Sequence, residues 1–414
     1  MDPNTGVASR ESTATYIHAG AIIRDAGGNA SGPATIIVRD GTIVGIENGL
    51  VPPQSGARLV DLSDKTVLPG LIDLHVHLTG DPGGDFWKQT TEPEEWGMVL
   101  GMKNARATAR AGFTTVREAG SAQQTAFALR RASEEGLITA PRIVAAGPAL
   151  AIVGGHGDVS GFVPEVNDVL TSGYTCTGAV ECAEKVRRAA QNGADVIKIT
   201  ATGGVLSQQG AGLEAHFSDA EMSSIADTAR SLGLKVMAHA HGARGIEAAS
   251  RAGIYTIEHG TFVDEQAARA MKANGTLLVP TLMAFKGVTE GLGQGIYTPV
   301  VEDKIRAVAQ VALSLVTRAR AEGVEIAFGT DAGVFDHGRN AEEFALMRDQ
   351  GMSDREALAS ATTVAARVLG MESQIGRIEP GYSADIIAVD GNPLSDVTVL
   401  ENVGWTMVRG RIVE

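Results

Sequence analysis

Six polar side chains, His75, His77, Lys198, His239, His259 and Asp331, each stand at or near the C-terminal end of a short apolar run, and a glycine-rich or polar loop follows each run. Strand ends of this kind gather in one place when the strands are parallel and close into a barrel. The pattern therefore predicts a (β/α)8 barrel with a metal-dependent hydrolytic site on the face where the strands end. Eight buried-strand candidates can be read in order: LIDLHVH, FTTVREA, RIVAAG, DVIKIT, LKVMAHA, IYTIEH, TLLVPTL and VEIAFGTD. The six residues fall on the first, fourth, fifth, sixth and eighth of these, with helical stretches between.

In LPGLIDLHVHLTG, His75 and His77 are two residues apart and share a strand face, while Leu74, Val76 and Leu78 take the other. Such a pair is either a polar patch at a sheet margin or two imidazoles pre-set for one metal ion. Lys198 is stranger, because ADVIKIT is a buried-strand sequence and an unpaired buried ammonium costs several kcal/mol. Two solutions are open. A carboxylate partners it, or carbon dioxide has added to the amine to give a carbamate able to bridge two metal ions. His239 and His259 offer nitrogen donors suited to zinc, with manganese or cobalt compatible. Asp331, after a hydrophobic run, calls for a cation or hydrogen-bond donors.

The rest of the chain frames this centre. Short strands precede Pro69 (ATIIVRDG, TIVGIENG, RLVDLSDKTVL), with Asp40-Gly41 a hairpin signal, and ADIIAVDG, WTMVRG and RIVE close the chain. The two ends are expected to pair into one small β-sandwich, residues 1–69 plus 372–414, flanking a distorted barrel over 70–371. Ser218 with Glu221 reads as a helix N-cap. With 414 residues and 44% hydrophobic content, one large elaborated barrel suffices. The net charge of -14 argues against nucleic acid or anionic membrane, and no apolar stretch approaches the ~18 residues of a membrane span. Cys176 and Cys182 could pair if the protein is exported, but are expected to be free thiols. The polar start, MDPNTGVASREST, has no signal-peptide core, which leaves a cytoplasmic place open beside export with a leader already removed.

Together HVH, TTVREAG, GGHG, VIKITATGG, AHAHG, IEHG, GTDAG and PGYSADIIAVDGNPL resemble the amidohydrolase superfamily over nearly the whole sequence. The likeness is strongest to its imidazolonepropionase-like branch of binuclear dipeptidases, carboxypeptidases and ochratoxin-degrading amidohydrolases. It implies two divalent ions, of which zinc suits the donors. His75, His77 and Asp331 would hold the first, His239 and His259 the second, and carboxylated Lys198 would bridge them. Asp331 would also move the proton from the attacking water to the leaving amine. His156 is expected at the substrate or its oxyanion, and His241 and His337 at the substrate; His18 and His216 have weaker claims. Trp87, Leu206, Met283, Phe285 and Phe335 suggest a hydrophobic pocket. The implied substrate is a small amide or dipeptide with a hydrophobic C-terminal residue, and the implied assembly a homo-oligomer. Alternatives are an Xaa-Pro dipeptidase, a one-metal ring hydrolase and a non-catalytic scaffold.

Overall fold

The terminal strands are the simplest to derive. In a computed structural model, which describes residues 13–208 and 213–414, the first four strands are β1 (Thr15–Ile22), β2 (Ala34–Arg39), β3 (Thr42–Asn48) and β4 (Arg58–Pro69). Asp40 and Gly41 join β2 to β3 with φ of 50° and 75°, the left-handed pair of a two-residue hairpin turn. The segment 1–12 of the expected terminal unit lies outside the described residues.

The barrel strands follow: β5 (Leu71–Val76), β6 (Phe113–Glu118), β7 (Arg142–Ala145), β8 (Ile197–Thr200), β9 (Val236–Ala240), β10 (Thr256–His259) and β11 (Leu277–Val279). All pairings among them are parallel, in two groups ordered β5-β6-β7 and β11-β10-β9-β8. Every residue of β5, β6, β8, β9 and β10 is buried, as expected for strands covered on both faces.

Two seams join the groups. At one, Leu150 donates to the Lys198 carbonyl (2.9 Å) and accepts from the Thr200 N–H (3.0 Å). At the other lies the eighth run, residues 324–331, with Ala332 directly after it. It was expected as a strand, but its bonding is split: Ala327 donates to Leu278 of β11, whereas Phe328 and Ala332 accept from Leu74 and His77. Neither neighbour is paired long enough to make a regular ladder, so isolated parallel bridges remain. Pro280, which has no N–H to donate, stands just beyond β11.

Helices cover the barrel between strands. The capping box at Ser218 and Glu221 opens the helix Asp219–Ser231, with both reciprocal hydrogen bonds made. Among the described residues, no helix is long and apolar enough to cross a membrane.

The chain returns to the terminal sheet with β12 (Ile386–Val389), β13 (Val403–Val408) and β14 (Arg411–Ile412), giving one seven-stranded sheet ordered β14-β13-β12-β4-β1-β2-β3. Gly41, beside β3, packs directly on Arg409 and Gly410 beside β14, so the two margins of the sheet come back together. The rolled sheet encloses an apolar cluster that includes Ile17, Ile36, Ile386 and Met407. Hydrogen bonding thus makes a single curled sheet where two facing sheets were expected.

One expectation fails outright. Cys176 and Cys182 form a disulfide, with Cα atoms 5.1 Å apart, and are not free thiols. Cys176 bonds through its backbone to Ala151, and Cys182 lies in the first turn of the helix Ala179–Gln191. The tight turn between them folds the two sulfurs together in a fully buried position.

Candidate active site

Six side chains from the ends of five barrel segments meet on the floor of a cavity of about 660 Å³. His75 and His77 project together from the end of β5, and their Nε2 atoms lie 3.4 and 3.3 Å from the same Asp331 oxygen, Oδ1. Lys198 Nζ is 3.4 Å from His75 Nε2. The His259 ring centre is 5.1 Å from that of His75 and 4.6 Å from that of His239. Asp331 and His259 reach inward through left-handed backbone, with φ of 65° and 72°. Such conformations cost about 1–3 kcal/mol each in a non-glycine residue and persist only where the surroundings enforce them.

Each imidazole is oriented from behind. His77 Nδ1 donates to the Gly120 carbonyl (2.9 Å), and His259 Nδ1 bonds Thr281 Oγ1 (2.7 Å). His75 Nδ1 bonds Glu258 Oε2 (2.9 Å), while His239 Nε2 faces the Gly203 carbonyl (3.2 Å). None of these supporting groups was anticipated. Glu258 could have been, since it is an acidic residue in a buried strand directly before His259.

The electrostatics favour neutral donors at three of the four imidazoles, whereas His77, pushed down by burial, is brought above the ordinary imidazole value by Asp331 and Glu118. Burial holds His75, His239 and His259 far below the ordinary imidazole range, so each is uncharged at neutral pH, the form that binds a metal. Burial pushes Asp331 up, but His75, His77 and Lys198 together bring it below the usual carboxylate value. Burial brings Lys198 down to about 8 against the pull of Glu258 and Asp331. Among the described residues, no carboxylate lies within salt-bridge distance of its ammonium. Asp331 Oδ1 is buried and accepts no hydrogen bond although two imidazole nitrogens point at it. An orphaned carboxylate oxygen beside two Nε2 atoms, all mutually within 4.8 Å, fits a divalent cation. Glu118, buried beneath, is raised to about 7 by burial, and its Oε1 also lacks a partner.

The remaining histidines separate into two kinds. His156 lines the cavity with its ring 4.2 Å from His239 and Nδ1 on Ser207 Oγ (2.7 Å). His241 also lines it, stacked 5.0 Å from His259 with Nδ1 on Thr261 Oγ1 (2.6 Å). His337 does not. Its nitrogens bond Thr108 Oγ1 and the His77 carbonyl, both at 3.2 Å, so it braces the backbone of His77. His18 bonds Val51 in the terminal sheet, and His216 sits beside Gly155 under the His156 loop. Of the apolar residues singled out, Leu206 and Phe285 line the cavity with Phe86, Val205 and Val288. Met283 and Phe335 are buried in the core, and Trp87 is 49% exposed.

Gly204 explains how His156 comes so close. A Cβ there would lie 2.2 Å from His156 Nδ1. Gly204→Ala should push the imidazole off its place in the cavity wall and lower kcat/KM, by about 10²-fold or more where that ring serves the reacting group. Metal content, measured on the same sample, should not change.

Comparison with known proteins agrees with this geometry. A model of the Amidohydrolase family matches residues 66–413. Ochratoxinase of Aspergillus niger is 31% identical over 417 residues, covering 94% of this chain and 84% of that protein. The crystal structure of a Xaa-Pro dipeptidase with bound methionine in its active site superposes with a TM-score of 0.89 at 36% identity, covering 97% of this chain and 99% of the other. A prolidase complexed with N-methylphosphonate-L-proline gives a TM-score of 0.87 at 32% identity, with the same coverage. Strand ends, cavity and sequence lead to one assignment: the chain is a hydrolase of the amidohydrolase family.

Proposed function

We propose that the protein is a binuclear metal-dependent amide hydrolase, and that its substrates are acyl-amino acids or dipeptides with a hydrophobic C-terminal residue, ochratoxin A included. The observation that carries this reading is the unpartnered Asp331 Oδ1 between His75 and His77, with Lys198 against the same histidine. His75, His77 and Asp331 would hold one ion, His239 and His259 the other, and Lys198, as its N-carboxylated form, would supply oxygen donors to both. A lysine near pKa 8 offers a neutral amine to carbon dioxide at mildly alkaline pH, which supports that modification. Zinc suits imidazole and carboxylate oxygen together. When bound, the ions lower the pKa of water toward neutrality and polarise the scissile carbonyl.

The protein's own groups do the rest. Asp331 takes the proton from the attacking water and hands it to the departing amine, which leaves poorly unless protonated. His156 and His241, neutral and facing the cavity, hold the substrate carbonyl and the oxygen that gains charge. The wall of Phe86, Leu206, Phe285 and Val288 receives the apolar side chain. A one-metal ring hydrolase has no use for a buried lysine among the histidines. An Xaa-Pro dipeptidase remains the second reading, supported by the likeness to such an enzyme at 36% identity.

A panel of N-acyl amino acids, Xaa-Pro dipeptides and ochratoxin A, followed by amine release, separates the two. Acyl-phenylalanine and ochratoxin A should be cleaved. Leucine and methionine analogues should follow more slowly, since one methylene in an apolar pocket is worth ~1–3 kcal/mol. Turnover confined to Xaa-Pro substrates would establish the second reading in place of the first.

A further inference from the structure

Inside the barrel, beneath the histidines, lies a fully buried ion pair. Arg117 on β6 reaches Glu258 on β10, Nη2 to Oε1 at 2.9 Å. Its Nε donates to the Leu74 carbonyl of β5 (2.6 Å) and Nη1 to Thr256 Oγ1 (3.3 Å). Thr256 in turn donates to the same Glu258 Oε1 (2.5 Å). A pair of this kind alone would be packing. Here the second oxygen of the carboxylate is turned away from the arginine and onto His75 Nδ1, 2.9 Å off.

The other imidazoles are supported differently. His77 Nδ1 faces a backbone carbonyl, and His259 Nδ1 faces the Thr281 hydroxyl, whose proton is committed to the Pro280 carbonyl (2.8 Å). The His75 and His259 rings are thus held with the proton on Nδ1 and the Nε2 lone pair presented, while His77 turns its Nε2 to Asp331 and His239 is held through Nε2 on the Gly203 carbonyl. Only His75 presents it with a negative charge behind it. A carboxylate on the far nitrogen makes an imidazole a stronger donor and fixes the ring, and loss of such a partner typically costs 10–100-fold in metal affinity. Arg117 keeps that carboxylate aligned, and joins β5, β6 and β10 through one guanidinium.

We infer that Glu258, positioned by Arg117, makes the two metal sites unequal: the site of His75, His77 and Asp331 binds first and more tightly, and that of His239 and His259 second. This inference rests on the binuclear reading above and concerns the order of loading, which that reading leaves open. Glu258 is a positioning residue, since its side chain is taken up by His75, Arg117 and Thr256 and acts on the site through His75.

The test is a zinc titration of metal-free full-length protein in bicarbonate buffer against a competing chelating dye, with bound zinc counted by elemental analysis. Wild type should take up two ions in two resolved steps. Glu258→Gln should weaken the first step by about 10–100-fold and leave the second within a few-fold. Glu258→Asp, which restores the charge on a shorter stem, should recover part of the loss. His259→Ala should lose the second step and keep the first. Two equal steps in wild type, or a Glu258→Gln effect spread over both steps or absent, would overturn the inference while the binuclear reading stands. No zinc uptake by wild type would overturn both. The wild-type titration decides the matter even if Glu258→Gln fails to fold, which circular dichroism would reveal.

Discussion

Chelation followed by exhaustive dialysis should bring amide hydrolysis to background, and added zinc should restore it, with manganese or cobalt giving partial recovery. The basis is the donor cluster: three deeply buried imidazoles kept neutral and one buried carboxylate oxygen without a hydrogen-bond partner make a donor set that could hold cations. Activity that survives in a preparation shown by elemental analysis to hold no metal would eliminate the mechanism. His75→Ala should lose zinc on gel filtration as well as turnover, because it removes the ring shared by Asp331, Lys198 and Glu258. Acid should act in the same direction. The folded-state pKa values of His75, His239 and His259 are depressed, so these three keep the metal-binding form well below the ordinary imidazole range, whereas His77, which Asp331 and Glu118 raise against the effect of burial, is the first of the four to take up a proton as pH falls.

Lys198→Ala should reduce activity by at least about 10²–10³-fold, the scale of losing one charge contact in a transition state. The informative part is rescue. Formate or acetate, added at millimolar levels, should recover some turnover by placing a carboxylate where the lysine's own would stand. The intact wild-type protein should carry one extra carboxyl group at Lys198, visible in electron density. Carboxylation should increase with pH through about 8, where the buried amine gives up its proton. An unmodified ammonium together with a failure of small acids to rescue would remove the bridge and leave two separated metal positions.

How much of this is legible in sequence differs from element to element. The barrel strands are readable because each is a short apolar run ended by a glycine-rich loop. The ligand candidates are readable because a histidine, lysine or aspartate at such an end has no ordinary reason to be buried. VEIAFGTD shows where this stops: its apolar pattern marks a barrel position, but its hydrogen bonds are divided between two neighbours, which no periodicity reveals. His337 and His241 look alike in sequence, both on loops beyond a ligand strand. Only the fold shows that one braces the His77 carbonyl while the other opens on the cavity. The disulfide was missed because a five-residue gap between cysteines says nothing of whether the turn between them closes. The pairing of Arg117 with Glu258 was invisible for a further reason. Charged residues in buried strands signal trouble in a sequence, and their solution is a partner on a strand far away along the chain.

The rolled terminal sheet also has a temporal side. Along β4, one edge is occupied by β1, available as soon as the first strands leave the ribosome, and the other by β12. Lys65 on β4 meets Asp390, just past β12, at a sequence separation of 325 residues. At about 5–20 residues per second, that partner arrives roughly 16–65 s later. Throughout this interval β4 offers an open backbone edge to any other nascent chain, a template for mispairing that only the arrival of β12 removes. Yield of soluble protein should therefore depend on how quickly, and at what temperature and crowding, the last segment is delivered. Shortening the chain by its final strands would make that transient hazard permanent.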